Sequence, residues 1–444
     1  MKFYNRIEEL QTLADTRHIA FTNHSQMTVV TGRRRIGKTK LILKSCEDTP
    51  TVYWFVSRNS EMALCNQFAQ TAAKALNVFI PSGINSMVEL FETIMAIGRE
   101  KQFNLVLDEF QEFFYTNNAV YSGMQDVWDR YKDTTHVNFI ASGSVYTLMH
   151  RIFQDYRDPL YGRCDSLIKL QPFTPGTLKD IMHDYCPTAS NDDLLCLFAI
   201  TGGVPKYVEA LLDRGWYTVE SMIDGVFKEN SFFIEEGNIL LIQEFGKKYG
   251  NYYAILSAIA SGINTATDIA RAIGSNNLGG MLQRLENDYD IISKHRPVLA
   301  KEGTQTVRYE IGDNFLRFWF KYIVKHQDYI QAGMLEQLGD IVKKDYPTYS
   351  GLILEKYFRS LLREKHLFTT IGSWWDTKKG RNVDQNEIDI VAIYAGKPKV
   401  LIAEVKRLRK NFKPELFQAK VETIKHKLFA KYEIDTACFT LEDM

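Results

Sequence analysis

Three features are missing from this chain, and each absence excludes a class of protein. The six cysteines are scattered without a C-x-x-C pair or histidines at ligand spacing, which excludes a disulfide framework and a zinc site. No stretch approaches the roughly eighteen apolar residues of a membrane span, and the N-terminus has no apolar signal core. Basic and acidic residues balance at 54 each, so total charge does not indicate a nucleic-acid partner. We expect a cytoplasmic protein with reduced thiols and no membrane partner.

Length and composition set the scale of the fold. The chain has 444 residues, of which 45% are apolar and 24% charged, as in soluble globular proteins. One ordinary core does not hold so many residues, so we expect about two to four domains. Between Lys397 and Lys431 there are eleven lysines and arginines and three acidic residues. This local excess is typical of a solvated helix face, and it also suits a phosphate backbone.

The most informative motif is G-x-x-x-x-G-K-T, which runs from Gly32 to Thr39 after a short apolar stretch. Gly32 and Gly37 allow the backbone to turn so that successive N–H groups face one anion at a helix N-terminus. Lys38 could then reach the outer phosphates of a nucleotide, and the Thr39 hydroxyl could hold Mg²⁺. Arg35, inside the loop, is a further candidate for nucleotide contact. Because a strand precedes the motif and a helix follows it, we favour nucleotide binding over an ordinary glycine-rich turn.

Strand and helix patterns alternate through the first 170 residues. Such alternation predicts βαβ units and a parallel sheet covered by helices on both faces. One helix is expected to begin at Ser86, whose hydroxyl could form a capping box with Glu89. The strand candidates are Met27–Val30, Val52–Val56, Asn104–Leu107, Val137–Ile140 and Leu167–Leu170.

Polar side chains follow two of these strands. Asp108 and Glu109 end one strand, where Asp108 would bind Mg²⁺ through water or with Thr39. Glu109 would orient or deprotonate the attacking water. The next strand ends in Ser142 and Ser144, at the edge where ligands of open α/β sheets bind. Either serine is a candidate sensor of the γ-phosphate, although Ser-Gly-Ser is also ordinary turn chemistry.

Taken together and in this order, the motifs of residues 1 to about 215 resemble the archaeal-type ATPases. That family is similar to the signal-transduction NTPases within the AAA+ superfamily. The matching pieces are Phe3–Leu10, the phosphate loop, Leu107–Gln111, Ala141–Ser144, Leu160–Arg163 and Thr201–Pro205.

The resemblance implies roles for residues outside the phosphate loop. Asn5 and Arg6 would lie near the adenine, and the segment ending at Pro205 would sit where lid helices close over the base. Arg163 would pair with the γ-phosphate within the chain or across a subunit contact, or would form a structural salt bridge. By the same resemblance ATP would act as a conformational signal that slow hydrolysis resets.

The middle of the chain predicts three helices and a two-stranded hairpin between residues 252 and 309. This order resembles a winged helix, whose third helix enters the major groove in DNA readers. In the third helix, Leu278–Asp288, the clear basic contact is Arg284, and acidic residues follow it. We therefore favour a structural or protein-binding module over a base reader. Phe315, Phe318 and Trp319 recur at helical spacing and predict an interdomain core.

The last hundred residues carry a second group of charged side chains. Strand alternation puts Glu404 and Lys406 on one face, and a hairpin turn at Ala395–Pro398 would place Asp389 opposite Glu404. Because adjacent carboxylates repel unless they share a cation, we predict a Mg²⁺ site formed by this pair. Lys406 could position the attacking water or stabilise phosphate charge. The elements are the helix Leu352–Leu362, which carries Glu355, and the strands Ile388–Tyr394 and Val400–Lys406.

The D…E-x-K arrangement resembles the PD-(D/E)xK nuclease core, with Glu355 as the helical acid. Ile388 stands where that pattern has proline. A nuclease-like domain of this type is commonly fused to the archaeal-type ATPases. Three interpretations stay open: active cleavage, a nuclease fold without cleavage, and an ordinary exposed strand.

We therefore predict an α/β protein in four segments. These are a P-loop NTPase core with a parallel sheet (1–172), a helical lid (173–245), a winged-helix-like domain (246–312) and a C-terminal α/β nuclease-like domain (313–444). The leading hypothesis is an ATP- and Mg²⁺-dependent switch that controls binding or cleavage of DNA or other nucleic acid. The alternative is a signalling NTPase that assembles with protein partners or with itself, and whose last domain only binds.

Overall fold

The computed structural model describes residues 1–144, 146–246, 249–275, 278–300, 307–375 and 386–444, and it omits the side chains of residues 146 and 147. The described chain forms two compact units. The first is Asn5–Gln171, and the second joins Met1–Tyr4 to Pro172–Met444.

The first unit is built on a five-stranded parallel sheet of order β2-β3-β4-β1-β5. All five strands predicted from the alternating pattern are confirmed. Every residue of the three central strands is buried, because helices cover both faces of a parallel sheet. The strands are β1 (Gln26–Thr31), β2 (Thr51–Phe55), β3 (Phe103–Asp108), β4 (Val137–Gly143) and β5 (Ser166–Lys169).

Helices connect these strands, and one predicted cap is wrong. The helix after Ser86 forms and buries the predicted apolar face, but the Ser86 side chain makes no capping bond. Instead, the Glu61 carboxylate of the preceding helix accepts a hydrogen bond from the Met87 N–H at 2.8 Å. The helices are α1 (Ile7–Thr22), α2 (Lys38–Ser45), α3 (Glu61–Leu76), α4 (Met87–Ile97), α5 (Phe113–Thr116), α6 (Ala119–Tyr131) and α7 (Tyr146–Gln154).

The second unit begins with a group of helices around a buried one. Residues 194–201 of α9 are all buried, because α8, α11 and two later helices, α16 and α18, surround it. The Phe198 ring meets the edge of the Tyr357 ring of α18 at a centroid distance of 5.6 Å. The helices are α8 (Pro175–Tyr185), α9 (Asn191–Thr201), α10 (Pro205–Leu212), α11 (Val219–Val226), α12 (Phe232–Phe245), α16 (Asn314–Phe318) and α18 (Leu335–Glu364).

Three helices and a hairpin follow α12, as the sequence predicts, although residues 276–277 and 301–306 of this segment lie outside the described residues. The guanidinium of Arg284, the basic side chain of the third helix, donates to the Tyr252 hydroxyl at 2.9 Å and is therefore engaged within the segment. Phe315, Phe318 and Trp319 are buried in the core of the unit. The elements are α13 (Tyr249–Ala260), α14 (Ala266–Ile273), α15 (Gly279–Asn287), β6 (Ile292–His295) and β7 (Arg308–Ile311).

The last part of the unit is a four-stranded sheet of order β11-β10-β9-β8, which follows the short helix α17 (Gln327–Gln331) and α18. The strands β8, β9 and β10 are antiparallel, and β11 pairs with β10 in parallel through α19. No helix among the described residues is long and apolar enough to cross a membrane. The elements are β8 (Phe368–Trp375), β9 (Glu387–Tyr394), β10 (Lys399–Val405), α19 (Pro414–Leu428) and β11 (Glu433–Phe439).

Candidate nucleotide site and C-terminal carboxylate site

The phosphate loop joins β1 to α2 and depends on its glycines. Gly32 has φ +147°, and a Cβ there would meet the Leu170 carbonyl oxygen at 2.8 Å. Gly37 has φ +92° and directly precedes α2, and Arg35 also has a positive φ of 68°. The Lys38 amine donates to the carbonyls of Gly32 at 2.9 Å and Arg33 at 3.2 Å, with 6% of the residue exposed. The loop therefore holds a cation over the N-terminus of a helix, which suits a phosphate.

Asp108, at the end of β3, is the polar centre of the site. Its Oδ2 accepts from the Thr39 and Tyr53 hydroxyls, both at 2.7 Å. Its Oδ1 accepts from the Ser142 hydroxyl and from the Glu109 N–H. Burial by itself would raise the pKa of Asp108, but the three hydroxyl donors outweigh it and hold the pKa below the ordinary value. The carboxylate is therefore charged at neutral pH, and with the Thr39 hydroxyl it offers the hard oxygen ligands that suit Mg²⁺.

Glu109 stands beside Asp108 in a strained backbone conformation with φ 56°. Its Oε2 accepts from the Ser144 hydroxyl at 2.7 Å and from the Gln111 amide. Gly143 leaves room for this arrangement, because a Cβ there would meet Gln111 Oε1 at 2.3 Å. The predicted general base, Glu109, and the predicted γ-phosphate sensor, Ser144, are thus hydrogen-bonded to each other. Both are at the same edge of the sheet as the phosphate loop, since parallel strands share that edge.

Two polar side chains of this site were missed in the sequence. Tyr53 lies on β2, and it reaches Asp108 because β2 and β3 are neighbours in the sheet. Gln111 lies in the short turn after β3. Gln111 ends the matching piece Leu107–Gln111, but no role was assigned to it, and Tyr53 belongs to no motif. For Tyr53 the available signal is its place near the carboxyl end of a strand.

Asn5, Arg6 and Arg163, the other residues predicted to contact the nucleotide, make contacts within the protein or adopt unusual backbone conformations. Asn5 and Arg6 both have positive φ, and the Arg6 guanidinium donates to the Gln171 carbonyl at 2.7 Å. Arg163 forms an ion pair with Asp129 at 2.9 Å, which is the salt-bridge alternative. A contact of Arg163 with γ-phosphate stays a prediction, as does an adenine contact of Asn5 or Arg6.

The predicted lid motif is at the start of α10 in the second unit. Pro205 is the first residue of that helix, where its missing N–H costs no hydrogen bond. Gly203 allows a close approach, because a Cβ there would lie 2.2 Å from the Phe173 carbonyl oxygen. The Gly203 carbonyl in turn accepts from the Phe173 N–H at 2.8 Å. Closure of these helices over a base stays a prediction.

The second site lies on β9 and β10. The Ala403–Ile390 pairing sets the predicted register, so the next pair is Glu404 opposite Asp389, and Pro398 causes no slip. The Lys406 amine is 3.0 Å from Glu404 Oε2 and 3.5 Å from Asp389 Oδ2. One cation therefore lies between the two predicted metal ligands.

A second lysine, Lys420, also pairs with Glu404, and the sequence pattern did not predict this contact. The Lys420 amine of α19 bonds to Glu404 Oε1. Burial by itself would raise the pKa of Glu404, but Lys420 and Lys406 outweigh it and hold the pKa below the ordinary value. Among the described residues, no three His, Cys, Asp or Glu side chains are placed to hold a metal ion. Asp389 and Glu404 could thus supply two of the ligands of Mg²⁺, with water or phosphate supplying the rest.

Glu355 comes to this region from α18, as predicted. Arg359, one turn later, lies 3.8 Å from the Glu355 carboxylate and donates to the Asp389 carbonyl at 3.3 Å. Burial, and then the charge of Asp389, raise the pKa of Glu355 well above the ordinary value. The structure thus brings Glu355, Asp389, Glu404 and Lys406 into one neighbourhood, with Glu355 favouring its neutral form.

The sheet order, the loop after β1 and the acidic pair after β3 define a P-loop nucleotide-binding domain in an α/β protein that also has a separate C-terminal sheet. Residues 3–211 match a family model described as an ATPase domain predominantly from Archaea. Residues 319–416 match a second model, described as archaeal and bacterial proteins of unknown function.

Known proteins are similar to this chain in sequence or in fold. The chain is 29% identical to the uncharacterized protein MJECL04 of Methanocaldococcus jannaschii over 413 residues. This alignment covers 91% of the chain and 87% of that protein. The Walker-type ATPase PABY2304 of Pyrococcus abyssi aligns with TM-score 0.53 and 17% identity, over 72% of this chain and 96% of its own. The ORC2 protein of Aeropyrum pernix aligns with TM-score 0.50 and 14% identity, over 75% and 96%. At these identities the two structures support the fold.

Proposed function

We propose that this protein is an ATP-binding and ATP-hydrolysing switch. The observation that carries the proposal is the convergence of Lys38, Thr39 and Asp108 at one edge of the sheet. Lys38 would exchange its two carbonyl partners for the outer phosphates, which accept a charged donor more strongly. Thr39 and Asp108 would hold Mg²⁺, which supplies charge neutralisation for the phosphates when bound.

Glu109 is the proposed general base of hydrolysis. Its bonds to Ser144 and Gln111 hold it in place and also engage one of its oxygens. Proton abstraction from water needs a free carboxylate oxygen within hydrogen-bond reach, and Glu109 Oε1 is the candidate. Because both partners of Oε2 stand at strand ends near the phosphate loop, a change in the bound phosphates could shift Glu109 between restrained and productive positions. This supports slow hydrolysis with a switching role.

We propose that the C-terminal sheet, β8 to β11 with the flanking helices α18 and α19, binds or cleaves nucleic acid with Mg²⁺. The observation that favours this is the order helix, three strands, helix, strand, with Glu355 on the first helix and Asp389, Glu404 and Lys406 at neighbouring strand ends. The basic excess between residues 397 and 431 suits a phosphate backbone. In this proposal Lys406 would stabilise the developing charge on the phosphate, and the two carboxylates would hold the metal.

A cleavage assay tests this proposal with the whole chain, Mg²⁺ and linear or circular DNA. Asp389→Asn and Lys406→Ala are each expected to reduce the cleavage rate by about a hundredfold or more, because each removes a group that acts on the metal or the phosphate. Lys399→Ala is the matched control, since Lys399 begins β10, the strand that Lys406 directly follows, and its charge is already paired with Glu433 at 2.8 Å. Equal product from all four proteins would indicate a contaminating nuclease and remove the cleavage assignment.

The alternative function is a signalling NTPase that assembles with protein partners or with itself. Two observations favour it: Arg284 is engaged with Tyr252, and the lysines already neutralise Glu404. It requires that the wild-type chain neither cleave nor bind DNA or RNA. Light scattering would then show ATP-dependent growth in mass, which the leading proposal does not require.

A further inference from the structure

Helix α19 carries a row of three lysines on the side opposite its acidic residues. Lys413, at the N-cap, is followed at seven-residue intervals by Lys420 and Lys427. Seven residues are nearly two turns, so the three side chains form one row about 21 Å long. Glu415 and Glu422 are also seven residues apart, but each stands two residues beyond a lysine of the row. Two residues rotate the helix by about 200°, which places these acids on the far side.

The row runs along the margin where α19 meets the sheet. The buried side chains of the helix, Phe417, Val421 and Ile424, pack in the core of this sheet. In the middle of the row Lys420 bonds to Glu404 of β10. At its end the Lys427 amine lies 5.3 Å from the centre of the Trp374 ring of β8. Since β9 separates these strands, the row crosses the face that carries Asp389 and Glu404.

We propose that Lys413, Lys420 and Lys427 bind the phosphate backbone of one nucleic-acid strand and lay it across the carboxylate pair. The proposal rests on the nucleic-acid function of the C-terminal site and names the path of the substrate. A length of about 21 Å corresponds to roughly six nucleotides at 3.4 Å each. Lys413 and Lys427 are exposed, while Lys420 is half-buried at the reacting position.

In this proposal the two outer lysines bind the backbone, while the carboxylates and Lys406 act on the phosphate. Lys420 donates to Glu404 through one proton, and an ammonium group has two more for a phosphate oxygen. Lys425 and Lys431 belong to the same basic segment but lie off the row. Lys425 is rotated by about 140° from Lys420 around the helix, and Lys431 follows the end of the helix at Leu428, so neither belongs to the row.

Fluorescence anisotropy with a labelled 20-nucleotide DNA, as single strand and as duplex, tests the row. The parent is the full chain with Asp389→Asn, in EDTA, so that cleavage does not occur. Adding Lys413→Gln and Lys427→Gln is expected to weaken binding on the order of tenfold and to reduce the salt slope of log K by about 1.4–1.8. The matched control adds Lys425→Gln and Lys431→Gln, which change net charge equally and are expected to leave affinity within about twofold.

The outcomes separate this inference from the proposed function. If the two double variants bound DNA with the same affinity, whether or not that affinity was lower than the parent's, the row would not be the binding path. Nucleic-acid binding by the parent would still stand. Competition by polyglutamate as strong as by unlabelled DNA would also overturn it, because the row would then recognise acidic chains in general. A parent chain that binds neither DNA form would remove the nucleic-acid function, and the row with it.

Discussion

Lys38→Ala is expected to lower the affinity for ATP by about a hundredfold or more. The amine lies inside the phosphate loop on the carbonyls of Gly32 and Arg33, and it is the charged donor that the loop presents to the outer phosphates. Charged hydrogen bonds of this kind contribute about 1.5–3 kcal/mol each, and phosphate binding uses more than one. Titration with a fluorescent ATP analogue measures the loss directly.

Lys44→Ala is the matched control for this variant. Lys44 lies on the same helix, is exposed and pairs with Glu47, so its removal changes net charge without touching the loop. Its ATP affinity is expected to equal that of the wild type. If Lys38→Ala bound ATP as tightly as the Lys44→Ala control, the phosphate-loop assignment would be wrong.

Glu109→Gln is expected to keep ATP binding and lose hydrolysis by a factor of about 10²–10⁴. The amide has nearly the shape of the carboxylate and still accepts the Ser144 bond, but it cannot take a proton from water. Phosphate release under single-turnover conditions measures the rate, and the same analogue titration measures binding.

Glu112→Gln provides the comparison for the base. Glu112 is in the same turn, but its carboxylate pairs with Arg58 at 2.5 Å. This variant is expected to hydrolyse ATP at the wild-type rate. Equal rates in both variants would contradict the role of Glu109 as the base. Loss of binding in Glu109→Gln would instead show that the residue supports the site rather than the reaction.

The elements of this protein could be predicted from the sequence where one local pattern decides the structure. Short runs of four or five residues flanked by turns identified every strand of the parallel sheet. The three central strands are buried on both faces, which is why their runs are mainly apolar. The hairpin of β9 and β10 was also predictable, since its four-residue turn fixes the pairing of Asp389 with Glu404.

Contacts between distant parts of the chain could not be predicted in this way. Tyr53 reaches Asp108 only because β2 and β3 are neighbours, and sequence order does not reveal which strands are neighbours. Lys420 reaches Glu404 from a helix sixteen residues later. The Ser86 cap was wrong for the same reason, because Glu61 of another helix satisfies the N–H that the local rule assigns to a hydroxyl.

The two candidate sites lie in different compact units, so a switch requires that the nucleotide in the first unit change the activity of the second. Allosteric coupling of ordinary size changes binding by about 5–150-fold. We expect that DNA affinity or cleavage by the wild type differs at least about fivefold between ATP, a non-hydrolysable analogue and ADP. For Lys38→Ala we expect the same DNA affinity and cleavage rate in every nucleotide state.

The most direct measurement is therefore DNA binding by anisotropy across these nucleotide states, in wild type and Lys38→Ala side by side. A nucleotide-dependent affinity in the wild type that Lys38→Ala abolishes is the predicted result. A wild-type affinity that is the same with ATP, ADP and no nucleotide, while ATP binding itself is intact, would contradict the switch.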